Sequence, residues 1–127
     1  MQPDQVTHVL YHAECADGFG AAFAAWKVRG DEASYIPVTH GEAPPELPHD
    51  AKVAIVDFSY KRDVILELAE KVSELIILDH HTTAQDELEG LPFATFDMQK
   101  SGARMAWEYW HPNEEVPDLI AYIEDKD

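Results

Sequence analysis

The chain is short of positive charge: 9 Lys and Arg stand against 25 Asp and Glu, a formal −16 over 127 residues. Proteins that grip duplex DNA do so by neutralising many phosphates, and this surplus of acid repels polyanions at long range. A duplex-binding face is therefore not expected, and a phosphate-bearing substrate would need bound cations to approach. Cysteine is almost missing too. Cys15 stands alone, so no internal disulfide can form. The start, Met1-Gln2-Pro3-Asp4-Gln5, lacks the basic and apolar regions of a signal peptide, and a cytoplasmic location is the expectation. No apolar run approaches the ~18–20 residues that span a bilayer, so no membrane partner is expected. Internal repeats and low-complexity segments are absent as well.

What is present suits one folded domain over residues 1–127: 46% of residues are hydrophobic and 27% charged. Short apolar runs alternate with helical patterns. Val6–Tyr11 reads as a strand, followed by Phe19, Ala22, Phe23 and Trp26 at helical spacing and a stop at Gly30. Ala33–Val38 reads as a second strand. Residues 39–50, with Gly41, Pro44, Pro45 and Pro48, read as a loop. Val53–Val56 reads as a buried strand, and Ser59 as the cap of a helix carrying Val64, Ile65, Leu68 and Val72. Leu75–Leu78 is a further buried strand. Thr82 or Thr83 caps a short helix ending near Gly90, and Phe93–Phe96 is a fifth strand. Ser101 caps a helix with Ala103, Ala106, Trp107 and Trp110 on one face, and Pro117 opens a last helix through Tyr122. Aromatic and Met residues at helical spacing are taken as core. His8, His40, His49 and His111 are taken as surface or loop residues. This alternation predicts an α/β fold, a doubly wound, mostly parallel five-stranded sheet with helices on both faces. The ligand crevice of such a sheet lies at the carboxyl ends of its strands.

Polar residues fall where that crevice would be. His12, Glu14, Cys15 and Asp17 follow the first run, Asp57 the third, Asp79-His80-His81 the fourth and Asp97 the fifth. Parallel strands point one way, so these groups should gather at one edge. Carboxylates and imidazoles brought together need something positive among them, and a divalent metal is the simplest candidate. Taken singly, each has a structural explanation: a helix cap for Asp17 or Asp97, a hydrogen-bonded rim residue for His12, a small buried group for Cys15. Lys100 and Arg104 likewise read as solvated helix charges. Three adjacent ligand-type residues after Leu75-Ile76-Ile77-Leu78 have no such explanation.

The ordered set resembles the DHH phosphoesterase family, named for its Asp-His-His. His12-Ala13-Glu14-Cys15-Ala16-Asp17-Gly18 looks like the first motif, Val53-Ala54-Ile55-Val56-Asp57 the second, and Leu78-Asp79-His80-His81 the signature. Ile123-Glu124-Asp125-Lys126-Asp127 looks like the approach to the fourth. The resemblance implies metal-dependent hydrolysis of phosphodiester or phosphoanhydride bonds, with a small phosphate compound or a short single-stranded oligonucleotide as substrate. It implies Mn²⁺, or Mg²⁺, as a pair of ions. Asp17 would bind metal, Asp57 would bridge two ions and His80 would be a ligand. His12 lies near the place of a ligating histidine, and Asp125 or Asp127 would supply the last carboxylate. Asp79 and His81 would be the catalytic residues, His81 facing the substrate phosphate. Lys100 and Ser101, at a helix N-terminus, would hold a second phosphate.

Two departures bear on this. Many members have D-x-D in the first motif, where this chain has Cys15-Ala16-Asp17. Either Cys15 replaces a carboxylate or one metal site is built differently. Members also carry a C-terminal domain that closes over the substrate. It is not in this sequence, so a fragment or a minimal form with weak hydrolysis of its own is expected. Cys15 also motivates an alternative, a non-catalytic phosphate-compound sensor on the same fold. A receiver-type signalling domain is the other alternative, with Asp57 and Lys100 as its Asp and Lys. It is opposed by the missing acidic pair after the first strand, and it gives Asp79-His80-His81 no work.

Overall fold

Val9 and Leu10 are neighbours in sequence, yet each lies in a different core. Successive strand residues face opposite sides of a sheet, so a strand covered on both sides must be apolar throughout. The computed structural model describes all 127 residues. Its strands are β1 (His8–His12), β2 (Ser34–Val38), β3 (Lys52–Val56), β4 (Glu74–Asp79) and β5 (Ala94–Phe96). They form one five-stranded sheet in the order β2-β1-β3-β4-β5, and every neighbouring pair is parallel. The α/β expectation holds, with a sheet that is parallel throughout.

The helices are α1 (Ala16–Arg29), α2 (Arg62–Lys71), α3 (Thr82–Glu87), α4 (Gly102–Trp110) and α5 (Asp118–Lys126). On one face, Val9, Ala54 and Val56 pack with Ala21, Ala24 and Ala25 of α1, and with residues of α4 and α5 such as Trp107 and Ile120. On the other, Leu10, Val53 and Ile55 pack with Ile65 and Leu68 of α2 and with Leu88 beyond α3. α1 carries the chain from β1 outward to β2, whereas β3, β4 and β5 extend the other way. The sheet order thus reverses between β1 and β3, the place where open parallel sheets leave a crevice. No helix is long and apolar enough to cross a membrane.

Register sets the level of that crevice. Tyr11 pairs with Val56 and Val56 with Leu78. The next residues, His12, Asp57 and Asp79, therefore stand in one row across three strands.

Several local expectations change. Phe19 and Trp26 are not core but 61% and 52% exposed. α1 buries its small residues instead, because a Cβ on Gly20 would lie 2.9 Å from both Ala103 Cβ and Ile123 Cδ1. Met98 is also exposed. Ser59 does not cap α2. That position belongs to Lys61, and the Ser59 hydroxyl donates to the Tyr60 carbonyl at 3.2 Å. The cap position of α3 is His81, not Thr82 or Thr83. α5 runs on to Lys126 behind a cap at Pro117. His111 is buried, stacked on Trp107 at 3.7 Å, with its ring nitrogens against the Ala24 carbonyl and the Glu114 carboxylate. Its polar atoms are all engaged, so burial leaves none unsatisfied.

Candidate metal centre

Asp57 leaves β3 in a left-handed backbone conformation, φ +67°, which side chains adopt rarely but Asp and Asn tolerate best. Its carboxylate is 1% exposed. A Cβ on Gly102 would stand 2.5 Å from Asp57 Oδ1, so only glycine lets the first turn of α4 come this close.

Each oxygen of Asp57 meets a different set of groups. Oδ1 lies 2.9 Å from His80 Nε2, which is also 3.1 Å from Asp17 Oδ2. His80 Nδ1 is 3.8 Å from Asp127 Oδ2. Oδ2 faces Cys15 Sγ at 3.6 Å and His12 Nδ1 at 3.8 Å. Two groups of three convergent donors result, Asp17–His80–Asp127 and His12–Cys15–Asp57, with a third in Asp79–His80–His81.

Asp17, expected as a ligand, does a second job. Its Oδ2 accepts the Gly102 N–H at 2.9 Å and its Oδ1 the Ala103 N–H at 2.7 Å, so it caps α4 from the first turn of α1. Free N–H groups at a helix start favour negative charge. Burial pushes the Asp17 carboxyl up. Hydrogen bonds from His80 and Asp57, and those two backbone groups, outweigh it and hold the carboxyl at about 2. Asp57 has no backbone donor. Burial and the neighbouring Asp17 charge push it up to about 6, against the pull of His80. His80 is raised to about 10 by hydrogen bonds to Asp17 and Asp57, which overcome burial. The imidazolium thus occupies the place of a cation between two carboxylates.

Asp79 is 1% exposed. Its Oδ1 accepts the His80 N–H at 2.8 Å and faces His81 Nδ1 at 2.6 Å, while Oδ2 is buried without a partner. An ionised carboxylate only accepts; with Asp79 ionised, Nδ1 of the half-exposed His81 carries the proton and Nε2 is free. A buried oxygen without a donor costs stability unless something positive meets it. That orphan and the mixed imidazole, carboxylate and thiol donors fit a divalent cation better than a structural role.

A cleft of about 600 Å³ opens beside this row, lined by His12, Asp57, Asp79 and His81. His40, set aside as a loop residue, also lines it, as does the exposed Lys61. Sequence reading missed Lys61, although its place four residues after Asp57 on the strand-to-helix turn was the available signal. A second groove, between residues 43–49 and α2, holds none of these groups.

Lys100 and Ser101, expected to hold a second phosphate, both have protein partners here. Lys100 Nζ is paired with Glu108 at 2.5 Å. Ser101 is buried as the cap of α4: its hydroxyl accepts the Arg104 N–H at 3.1 Å and its own N–H donates to Glu124 at 2.9 Å. Of the two acids left open, Asp127 joins the cluster and Asp125 is exposed outside it. Asp97 accepts the Gln99 N–H at 2.9 Å within its own turn, and Glu14 is exposed at φ +55°.

No family model matches the chain. It is 38% identical, over 141 aligned positions, to an uncharacterized protein of Acanthamoeba polyphaga mimivirus; the match covers 98% of this chain and 34% of that protein. The chain thus spans about a third of the curated relative it matches. Among solved structures it is similar to an uncharacterized protein from Helicobacter pylori, at TM-score 0.65 and 15% identity, over 94% of this chain and 40% of that one. At this identity the likeness shows a shared fold.

Proposed function

We propose that this chain is the metal-binding domain of a DHH-type phosphoesterase, hydrolysing phosphodiester or phosphoanhydride bonds in small nucleotides or short single-stranded oligonucleotides. The observation that carries the reading is the carboxylate of Asp57, whose two oxygens face two separate donor groups. A bridging ligand of a two-metal site has this form. Divalent cations bound there would neutralise phosphoryl charge and make an attacking water more acidic. The residues do the remaining work. Asp17, His80 and Asp127 would hold one ion and His12 and Cys15 the other, with Asp57 shared between them. Asp79 fixes the His81 ring by accepting a hydrogen bond from its Nδ1–H, which leaves Nε2 of a ring that lines the cleft to face the substrate. In its doubly protonated form His81 would donate from Nε2 to a phosphoryl oxygen, or give that proton to the leaving group. Lys61, on the cleft wall, would supply the positive contact first expected of Lys100. The −16 charge supports a small substrate over a duplex.

The test is turnover of a panel of nucleotides, short oligonucleotides, pyrophosphate and polyphosphate with added Mn²⁺. Hydrolysis of at least one class, abolished by a chelator, is expected. Metal-dependent tightening of ligand binding with no turnover would favour the sensor instead.

A further inference from the structure

The two sides of Asp57 differ in chemistry as well as position. On the Oδ1 side the donors are an imidazole and two carboxylates. On the Oδ2 side they are a thiol and an imidazole, Cys15 Sγ at 3.6 Å and His12 Nδ1 at 3.8 Å. These spacings are informative. Hydrogen bonds hold His80 to its carboxylates at 2.9 and 3.1 Å, whereas 3.8 Å is too long for one, and a thiol is a weak donor. Zinc takes sulfur at about 2.3 Å and nitrogen or oxygen at about 2.0–2.1 Å, so neighbouring corners of its tetrahedron lie about 3.5 Å apart between S and O and about 3.3 Å between N and O. The Cys15–Asp57 separation matches the first edge, spanned by only a weak thiol hydrogen bond; the His12–Asp57 separation is about 0.5 Å longer than the second, with no hydrogen bond to account for it.

Local structure builds this trio deliberately close. His12 ends β1 and Cys15 precedes α1. A Cβ on Gly18 would lie 2.2 Å from the His12 carbonyl oxygen, so glycine is what allows the first turn of α1 to fold back against His12. The His12 side chain is 36% exposed and lines the cleft. Three protein ligands beside an open cleft match the form of zinc sites that keep one position free.

We propose that His12, Cys15 and Asp57 form a site for a zinc-class cation, so that the centre holds two different metals rather than a matched manganese pair. The inference rests on Asp57 as a bridging ligand. Thiolate favours Zn²⁺, and Mn²⁺ stands lowest in the general affinity order of these divalent ions. The carboxylate and imidazole set around His80 suits Mn²⁺ or Mg²⁺. On binding, Cys15 releases its proton to solvent and ligates as thiolate.

The test is a titration of the whole chain, stripped by chelator under anaerobic conditions in a thiol-free reductant, with Co²⁺ as spectroscopic stand-in for zinc. A thiolate-to-cobalt charge-transfer band in the near ultraviolet should saturate at one equivalent. Stoichiometric Zn²⁺ should erase it and excess Mn²⁺ should not. Cys15→Asp should lose the band entirely. His12→Ala, which keeps the thiol, should need roughly tenfold more Co²⁺ or beyond to develop it. Bound Co²⁺ without the band in the unaltered protein, erasure by equimolar Mn²⁺, or an unshifted His12→Ala titration overturns the proposal. Phosphoester turnover with Mn²⁺ is scored separately: turnover without the band defeats only this inference, and the band without turnover defeats only the hydrolase reading.

Discussion

Two polar clusters meet at the start of α4, and they are built on opposite terms. On the outer side, Lys100 pairs with Glu108, and Arg104 with both Glu108 and Glu124. Glu124 also takes the Ser101 N–H, and with Arg104 this holds its carboxyl below the usual range despite burial. Every charge there has its opposite. On the inner side, Asp17, Asp57 and Asp127 share the single imidazole of His80, and Asp79 keeps one oxygen unpaired. The outer cluster balances its charge within itself. The deficient one lacks positive charge where a cation would supply it. Lys100, a phosphate contact by position in the chain, has its charge answered by Glu108 and Asp97.

The contrast breaks most visibly at Asp57. Asp57→Asn should reduce hydrolysis to background while the circular dichroism spectrum stays native, because the amide cannot serve two cations. Near-normal rates with excess Mn²⁺ would falsify the bridging role.

Next in size, His81→Ala should lower kcat by roughly 10²–10⁴-fold with metal affinity intact, the usual range for a general acid. His80→Ala should lose metal instead, read by calorimetric titration. Equal loss of metal in both would end the division of roles between them.

A thermal melt sharpens the charge deficit itself. His80 is raised from 6.5 to about 10 by its bonds to Asp17 and Asp57. The stability this lends the metal-free fold is full below 6.5 and is lost as pH rises toward 10. A cation takes the place of that proton. Mn²⁺ should therefore raise Tm relative to EDTA, and by more at about pH 8.5 than at about pH 6.5. A rise that is equal or smaller at the higher pH would count against a cation replacing the His80 proton.

The smallest effect belongs to the outer cluster. Lys100→Ala should change unfolding free energy by roughly 0–1 kcal/mol, as exposed ion pairs do, and leave KM unchanged. A large rise in KM would return Lys100 to the substrate site.

The strands and the row of polar residues at their ends were legible because buried parallel strands demand unbroken apolar runs, and Val53–Val56 and Leu75–Leu78 supply them. The packed face of α1 was not. Hydrophobic periodicity weights large side chains, and Phe19 and Trp26 drew the stripe to the wrong side. The close crossing with α4 admits only Gly20 and the alanines. Asp127 could not be told from Asp125 without the turn of α5. Lys61 was passed over because it carries no motif, only a position on the turn after β3.

The double use of Asp17 has a consequence for how firmly ions are held. The start of α4 carries roughly half an elementary positive charge, and two of its N–H groups already rest on this carboxylate. A cation beside Asp17 would meet a ligand whose negative charge is partly spent. Cys15 also stands at a helix start, as the N-cap of α1, with the Gly18 and Asp17 N–H groups toward its sulfur, but the Asp57 carboxylate beside it takes no backbone N–H. Of two bound ions, the one held by Asp17, His80 and Asp127 would be the faster to exchange, and a mild chelator would remove it first.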